Sequence, residues 1–432
     1  MKTLKNFENE INRCSKCGLC QSVCPVYQQT LNDCAVSRGK FIMLRGILKG
    51  DIKFNKTVNK YLDMCLKCNA CKDFCPSGIN AKEIFLTAKS EYFTTVPACK
   101  FIGKFQSKKV FNSFLNLIKT AISLYRFFAF DKIVQILYPV FLNSGFWGRK
   151  VILANEFVKK SKLKHNLMLK SYGNLKNLKV IYFKGCVNKY INDKVWVSAE
   201  NVLKKCGVTL IEKNFDCCGL PFLSSGNFEQ FKQQAFFNLS QINEDFDYIM
   251  TDCASCKDAF LEYENVIDDT QLLAKLKNIN SKFLNVTEFI IKNVESIEFK
   301  EKQTITFHKP CHLDNMDFFY DLIQNSKNVE YLEMKNFDKC CGFAGEFALK
   351  NPILSEKISA EKIKNALETN ADYILTTCPS CTLGLTQGLI KNAKSSKKLP
   401  KILNLVEFIA RADKIVLKKS LKLDLESEKV SI

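Results

Sequence analysis

Of the chain's 21 cysteines, all but Cys34, Cys99 and Cys206 fall into two kinds of repeated spacing. Cys14, Cys17, Cys20 and Cys24 are followed by Pro25, and Cys65, Cys68, Cys71 and Cys75 repeat the same x2, x2, x3 intervals before Pro76. Such tight spacing lets three thiolates wrap one corner-sharing cubane from a single loop, and the proline then ends the loop and redirects the chain. In proteins with two such runs, the fourth cysteine of each run serves the other cluster. The expected sets are Cys14, Cys17, Cys20 and Cys75 around one [4Fe–4S] cluster, and Cys65, Cys68, Cys71 and Cys24 around the second. Zinc competes poorly, because its sites seldom use four cysteines at these intervals. Two neighbouring cubanes serve electron transfer, and nothing near these runs suggests a substrate pocket.

The second kind of spacing supplies five thiols twice: Cys186, Cys217, Cys218, Cys253 and Cys256, then Cys311, Cys340, Cys341, Cys378 and Cys381. Five is one more than a zinc tetrahedron or a simple cubane needs. An adjacent cysteine pair does not easily place both sulfurs on one metal, but it can bridge or cap neighbouring irons. Gly219 and Gly342 follow the pairs and allow close backbone approach. A structural zinc with a spare thiol is the alternative for each copy.

The elements that must hold these thiols are themselves duplicated. The stretch 180–186 answers to 304–311, 214–219 to 336–342, 247–256 to 372–381, and 284–290 to 403–409, in the same order and at similar spacing. Short apolar runs at 180–183, 248–250 and 305–307 read as buried strands, and 227–243 and 354–369 read as helices. That alternation predicts βα units around parallel sheets. Cys186, Cys253, Cys311 and Cys378 each follow a strand closely, where open α/β sheets build their sites, so the copies are expected to face each other across a shared crevice. The fold class expected is α+β and multidomain. A helical dicluster ferredoxin-type domain takes 1–99 and a helical connector 100–172. Two α/β domains with parallel sheets, each built on a Cys-Cys-Gly (CCG) motif, take 173–300 and 301–415, and a tail takes 416–432.

Composition agrees with a folded chain of several cores: 432 residues, 47% hydrophobic and 25% charged. The N-terminus has no apolar core and small-residue cleavage site of a secretory signal, so the thiols are expected in a reducing cytoplasm, as ligands and not disulfides. The net charge of +20 favours anionic partners such as membrane headgroups or an acidic protein. The lysines are scattered and no nucleic-acid motif accompanies them, so nucleic acid is not an expected partner. No G-x-G-x-x-G fingerprint, P-loop or G-x-S-x-G elbow occurs, which argues against a flavin or nicotinamide bound by this chain itself.

Several residues carry weaker signals. Lys16, Lys67 and Lys72 lie in or near the cluster loops, as tuning charges or as solvated surface. Arg38 and Arg45 sit on a helix expected after the first run, where packing against the ferredoxin core is the default. His308 and His312 flank Cys311 and could donate hydrogen bonds to cluster sulfur or be structural histidines. Cys34, Cys99 and Cys206 read as inert thiols. The segment 110–147 is dense in aromatics, including Phe111, Phe114, Tyr125, Phe127, Phe128, Phe130, Tyr138, Phe141, Phe146 and Trp147. Its longest uncharged run, 133–148, is too short and broken for a membrane span; it suits a membrane surface, domain packing or a flavoprotein partner.

The run from Cys65 to Gly78, the pair Cys340-Cys341-Gly342 with Phe343, Ala344 and Gly345, and Pro310-Cys311-His312 together resemble the glycolate oxidase iron–sulfur subunit family. The wider group includes heterodisulfide reductase catalytic subunits, the small subunit of anaerobic glycerol-3-phosphate dehydrogenase and lactate-utilisation iron–sulfur proteins. The resemblance leaves about 100–172 uncovered. It implies the non-flavin subunit of a heteromeric dehydrogenase: an FAD subunit oxidises glycolate or D-lactate, and this chain passes the electrons to quinone. It places the chain in the cytoplasm or on the cytoplasmic face of the inner membrane. In glycolate oxidase subunits the first CCG copy is often incomplete, whereas both are complete here. That is similar to heterodisulfide reductases, in which each copy holds a noncubane [4Fe–4S] cluster, and it implies the alternative of direct disulfide or quinone reduction.

Overall fold

The computed structural model describes residues 2–95, 108–128, 130–158, 170–172, 175, 178–313, 315–393 and 399–418. Short helices fill the first region. Ser37–Lys49 and Ala81–Thr95 pack around a core of Leu4, Ile11, Phe41, Leu44, Ile84 and Phe85, and the two cysteine runs lie against that core.

The strands are β1 (Lys170–Tyr172), β2 (Lys179–Tyr182), β3 (Thr209–Ile211), β4 (Tyr248–Thr251), β5 (Phe283–Asn285), β6 (Val294–Phe307), β7 (Ser326–Tyr331), β8 (Tyr373–Thr376), β9 (Lys401–Asn404) and β10 (Lys414–Leu417). One sheet has the order β3-β2-β4-β5, all parallel. The second repeats that order as β7-β6-β8-β9, also parallel, and is extended by β10 antiparallel to β6 and by β1 parallel to β10. The expected α+β architecture is therefore present: a helical N-terminal region followed by duplicated parallel-sheet units. The long strand β6 crosses position 300, because its first half pairs with β10 and its second half with β8. β1 adds a strand at the end of the segment expected to be wholly helical.

The duplicated 284–290 and 403–409 stretches have a common structural cause. Asn285 ends β5 and accepts from the Thr287 amide at 2.9 Å; Asn404 ends β9 and accepts from the Val406 amide at 3.2 Å. Each caps the next helix, satisfying amides that lack an intrahelical partner. The two sheets also share cores. Val180, Val202 and Phe289 of the first copy pack in one cluster with Ile305, Phe307 and Phe408 of the second. Main-chain hydrogen bonds join them as well, from Ala254 N–H to the Thr377 carbonyl at 3.2 Å.

The cysteine-free helices Lys108–Phe127, Phe130–Ile136, Tyr138–Asn143 and Gly145–Val158 lean on the second copy. Ile152 and Leu153 pack on Ile390, and Arg149 grips Glu356 with two donors at 2.8 and 3.0 Å. Among the described residues, no helix is long and apolar enough to cross a membrane. Cys99, the side chains of Phe111, Phe114 and Arg126, and the tail beyond Lys418 lie outside the described residues.

Candidate metal centres

The two short runs fold as copies of one loop. Lys16 and Lys67, each just before the second cysteine of its run, have φ of 62° and 57°. Gly18 and Asn69, just after it, have φ of 87° and 61°. Alternating left-handed residues curl the chain so that successive thiols converge, a strained arrangement for lysine and asparagine that a bound group can hold. The Lys67 amide donates to Cys65 Sγ at 3.4 Å.

Each loop borrows a thiol from the other. Cys14, Cys17, Cys20 and Cys75 line one small cavity of about 30 Å³, and Cys24, Cys65, Cys68 and Cys71 line a second of about 30 Å³. Cys71, Ser37 and Ala81 border both, so the cavities are neighbours. Burial raises the Cys24 thiol and pushes Cys71 up to about 12. Thiolates packed this closely out of water call for a compensating cation, and a donor set of four sulfurs in a closed loop suits an iron–sulfur cubane.

All ten thiols of the duplicated region line a single crevice of about 990 Å³, open to solvent. The crevice expected from the sequence is therefore present. Cys186 opens a short helix after β2, Cys253 caps Ala254–Glu262 after β4, and Cys378 caps Pro379–Asn392 after β8. Gly219 and Gly342 have φ of 83° and 81°; Gly219 precedes the helix Leu220–Ser225 and Gly342 lies in a loop, and a side chain at either would be strained and would crowd Phe231 or Ile358. The thiols touch in the same order in both copies. In the first, Cys186 meets Cys217, which meets Cys218, then Cys256, then Cys253. In the second, Cys311 meets Cys340, then Cys341, Cys381 and Cys378. The Cys217 thiol donates to Cys186 Sγ at 3.6 Å. Two further contacts join the series: Cys253 with Cys378 between copies, and Cys340 with Cys68 of the second cubane cavity.

Histidines flank this series unequally. His312 lines the crevice, with Nδ1 3.1 Å from Ser255 Oγ and Nε2 3.7 Å from Asp258; Ser255 Oγ is 3.5 Å from Cys378 Sγ. His308 is fully buried behind the thiols, and burial drives it well below its ordinary value. Arg45 donates to the carbonyls of Ile11, Asn12 and Cys14 at 2.9 to 3.0 Å, so it braces the entry to the first loop. Arg38 pairs with Asp33 at 3.6 Å. Cys206 is buried in the shared core and Cys34 is half-buried.

A pair of lysines absent from the sequence reading docks the ferredoxin-type region onto the crevice. Lys82 binds Asp258 at 3.0 Å and Glu262 at 2.8 Å in the first copy. Lys89, two turns on along the same helix, binds Asp63 and Glu346 at 2.8 Å each, and Lys350 returns from the second copy to Asp63 at 2.8 Å. The available signal was a heptad spacing of lysines around Ile84, Phe85, Leu86 and Ala88, which puts both on one buried face.

Known proteins agree with this division. A family model described as a cysteine-rich domain matches residues 180–260 and 305–386, and one described as a 4Fe-4S dicluster domain matches 10–79. A probable glycolate oxidase iron-sulfur subunit of Bacillus subtilis is 25% identical over 90% of this chain and 91% of its own length. Lactate utilization protein A of Bacillus cytotoxicus is 31% identical over 48% of this chain and 90% of its own length. A hypothetical protein from Helicobacter pylori shares a TM-score of 0.42 at 12% identity, over 90% of this chain and 78% of that one. The dicluster and cysteine-rich matches, with the thiol geometry, make this an iron–sulfur protein with an electron-transfer role. The chain belongs to the glycolate oxidase iron–sulfur subunit family, together with lactate utilization protein A.

Proposed function

We propose that this chain is the electron-relaying subunit of a flavoprotein 2-hydroxyacid dehydrogenase, taking electrons from glycolate or D-lactate through a separate FAD subunit and passing them towards quinone. The carrying observation is the unbroken succession of thiols. Two adjoining cubane cavities lead to Cys68, which touches Cys340; the second CCG set then leads through Cys378 and Cys253 to the first. In this reading Cys14, Cys17, Cys20 and Cys75 hold one cubane, and Cys24, Cys65, Cys68 and Cys71 the other. The ten CCG cysteines hold one noncubane [4Fe–4S] cluster per copy, and the domain boundaries follow the division given above. Bound clusters supply one-electron chemistry. The chain's own residues frame the path: Phe222, Leu223 and Leu86 pack beside the first set, and Lys82 and Lys89 fix the ferredoxin-type region against both copies.

Two features support contact with a membrane surface on the way to quinone. The helices from Lys108 to Val158 expose Phe127, Phe128, Ile136, Val140 and Trp147, each at 60% or more, and the chain carries +20 charge. A second reading, direct reduction of a disulfide or quinone, is favoured by the crevice itself, about 990 Å³ in volume and lined by the ten thiols.

Affinity purification of the full chain from its own cells under anaerobic conditions separates the readings. Recovery of an FAD subunit that reduces dye with glycolate or lactate supports the relay. Disulfide reduction by the chain alone supports the second reading, and zinc in the CCG copies removes both.

A further inference from the structure

Behind the second set of thiols lies a donor that the first set lacks. His308 follows β6 and is fully buried; main-chain Phe337 lies within reach of its ring, but neither ring nitrogen has a hydrogen-bond partner of good geometry. One of its ring nitrogens and the sulfurs of Cys341 and Cys381 all lie within 4.8 Å of one another. An imidazole buried without partners is costly unless something accepts its lone pair or its proton. In the first copy the residue after the matching strand phenylalanine, Phe183, is Lys184, and its ammonium sits 4.0 Å from the centre of the Trp196 ring. An ammonium is no metal ligand. Of the other two histidines, His312 is engaged with Ser255 and Asp258, and His165 lies outside the described residues.

We infer that His308 is a nitrogen ligand of the metal centre in the second CCG copy, beside Cys341 and Cys381, so that the duplicated sites are chemically unequal: sulfur only in the first, mixed sulfur and nitrogen in the second. The inference rests on the reading that the CCG copies hold iron–sulfur centres. Imidazole is a common ligand for iron, and a neutral nitrogen among thiolates lowers the negative charge of a centre and raises its potential. The second copy also adjoins Cys68, so electrons from the cubanes would collect there before moving to the first copy.

Pulsed electron paramagnetic resonance on anaerobically purified holoprotein, grown with 15N-histidine, tests this. The label marks three residues only. The expected result is a 15N coupling of ligand strength that is lost in His308→Gln and kept in His312→Gln, with about sixteen irons per wild-type chain. Sixteen irons with only the weak coupling of a hydrogen-bonded ring, or with none, overturns ligation by His308 and leaves the cluster reading standing. About eight irons overturns that reading and the ligation with it. If His308→Gln fails to fold, a ligand-strength coupling kept in His312→Gln supports the assignment and its loss there overturns it.

Discussion

The thiol of Cys68, in the second short cysteine run, meets the thiol of Cys340 in the second CCG pair, although 272 positions separate them in the chain. That contact brings the dicluster region against the duplicated sheets. At its flank Lys89 and Lys350 clamp Asp63 and Glu346 together.

The exchange of fourth cysteines gives a direct prediction. Cys24→Ser is expected to remove the same spectroscopic centre as Cys65→Ser, and Cys75→Ser the same one as Cys14→Ser, each with a loss of about four irons. If Cys24→Ser and Cys14→Ser instead abolish a common signal, each run holds its own cluster.

The docking lysines predict a stability effect. Lys89 is 1% exposed, and Lys89→Met leaves Asp63 and Glu346 with less compensating charge in a buried site. The expected cost is about 2–4 kcal/mol in the denaturation midpoint of the holoprotein, partly restored when Glu346→Gln is added. Independent, additive losses would mean that the pair is not coupled.

Glu346 also sets a pH dependence. Burial alone would raise its carboxyl, but the Lys89, Lys67 and Lys350 ammoniums override it and hold the group at about 2, below its ordinary 4.5. A depressed carboxyl stabilises the fold fully above its unfolded value, and that contribution is lost as pH falls towards the folded value. The stability gap between wild type and Glu346→Gln is therefore expected to be on the order of 3 kcal/mol above about pH 5.5, closing as pH approaches 2. Comparing the two proteins cancels the acid lability of clusters they share. A gap independent of pH would show that the ion pairs do not carry it.

The exposed apolar helices predict lipid binding. Phe127→Ser combined with Trp147→Ser is expected to weaken co-sedimentation with anionic vesicles at least about threefold, without changing iron content. Added salt is expected to weaken the wild type further, because the +20 charge contributes. Equal binding by wild type and variant would place the patch elsewhere, against a protein partner.

Much of this arrangement was legible from spacing. Three thiolates within seven residues, ended by a proline, restrict the loop geometry so strongly that ligand groups can be read from the chain. The paired matches from Val180 and Thr304 onward revealed both sheets, because buried parallel strands are short continuous apolar runs and their capping residues, Asn285 and Asn404, recur with them. What spacing does not carry is the contact between distant elements. Nothing local to Cys68 or Cys340 shows that they meet, and for Lys89 only its heptad spacing from Lys82 among apolar residues hints at a buried face, not at its acidic partners. His308 was equally plausible as a structural residue, since only the folded positions of Cys341 and Cys381 show that its ring faces them. The long β6 escaped for a similar reason: its start, Val294 to Glu298, is held by β10, more than a hundred positions further along the chain.

The central claim is that four thiol sets form one iron–sulfur relay, and metal analysis of the anaerobically purified chain tests it most directly. About sixteen irons with matching acid-labile sulfide and no stoichiometric zinc is the result expected of two cubanes and two CCG clusters. About eight irons, with zinc filling the CCG copies, would end the relay at Cys68 and contradict the account.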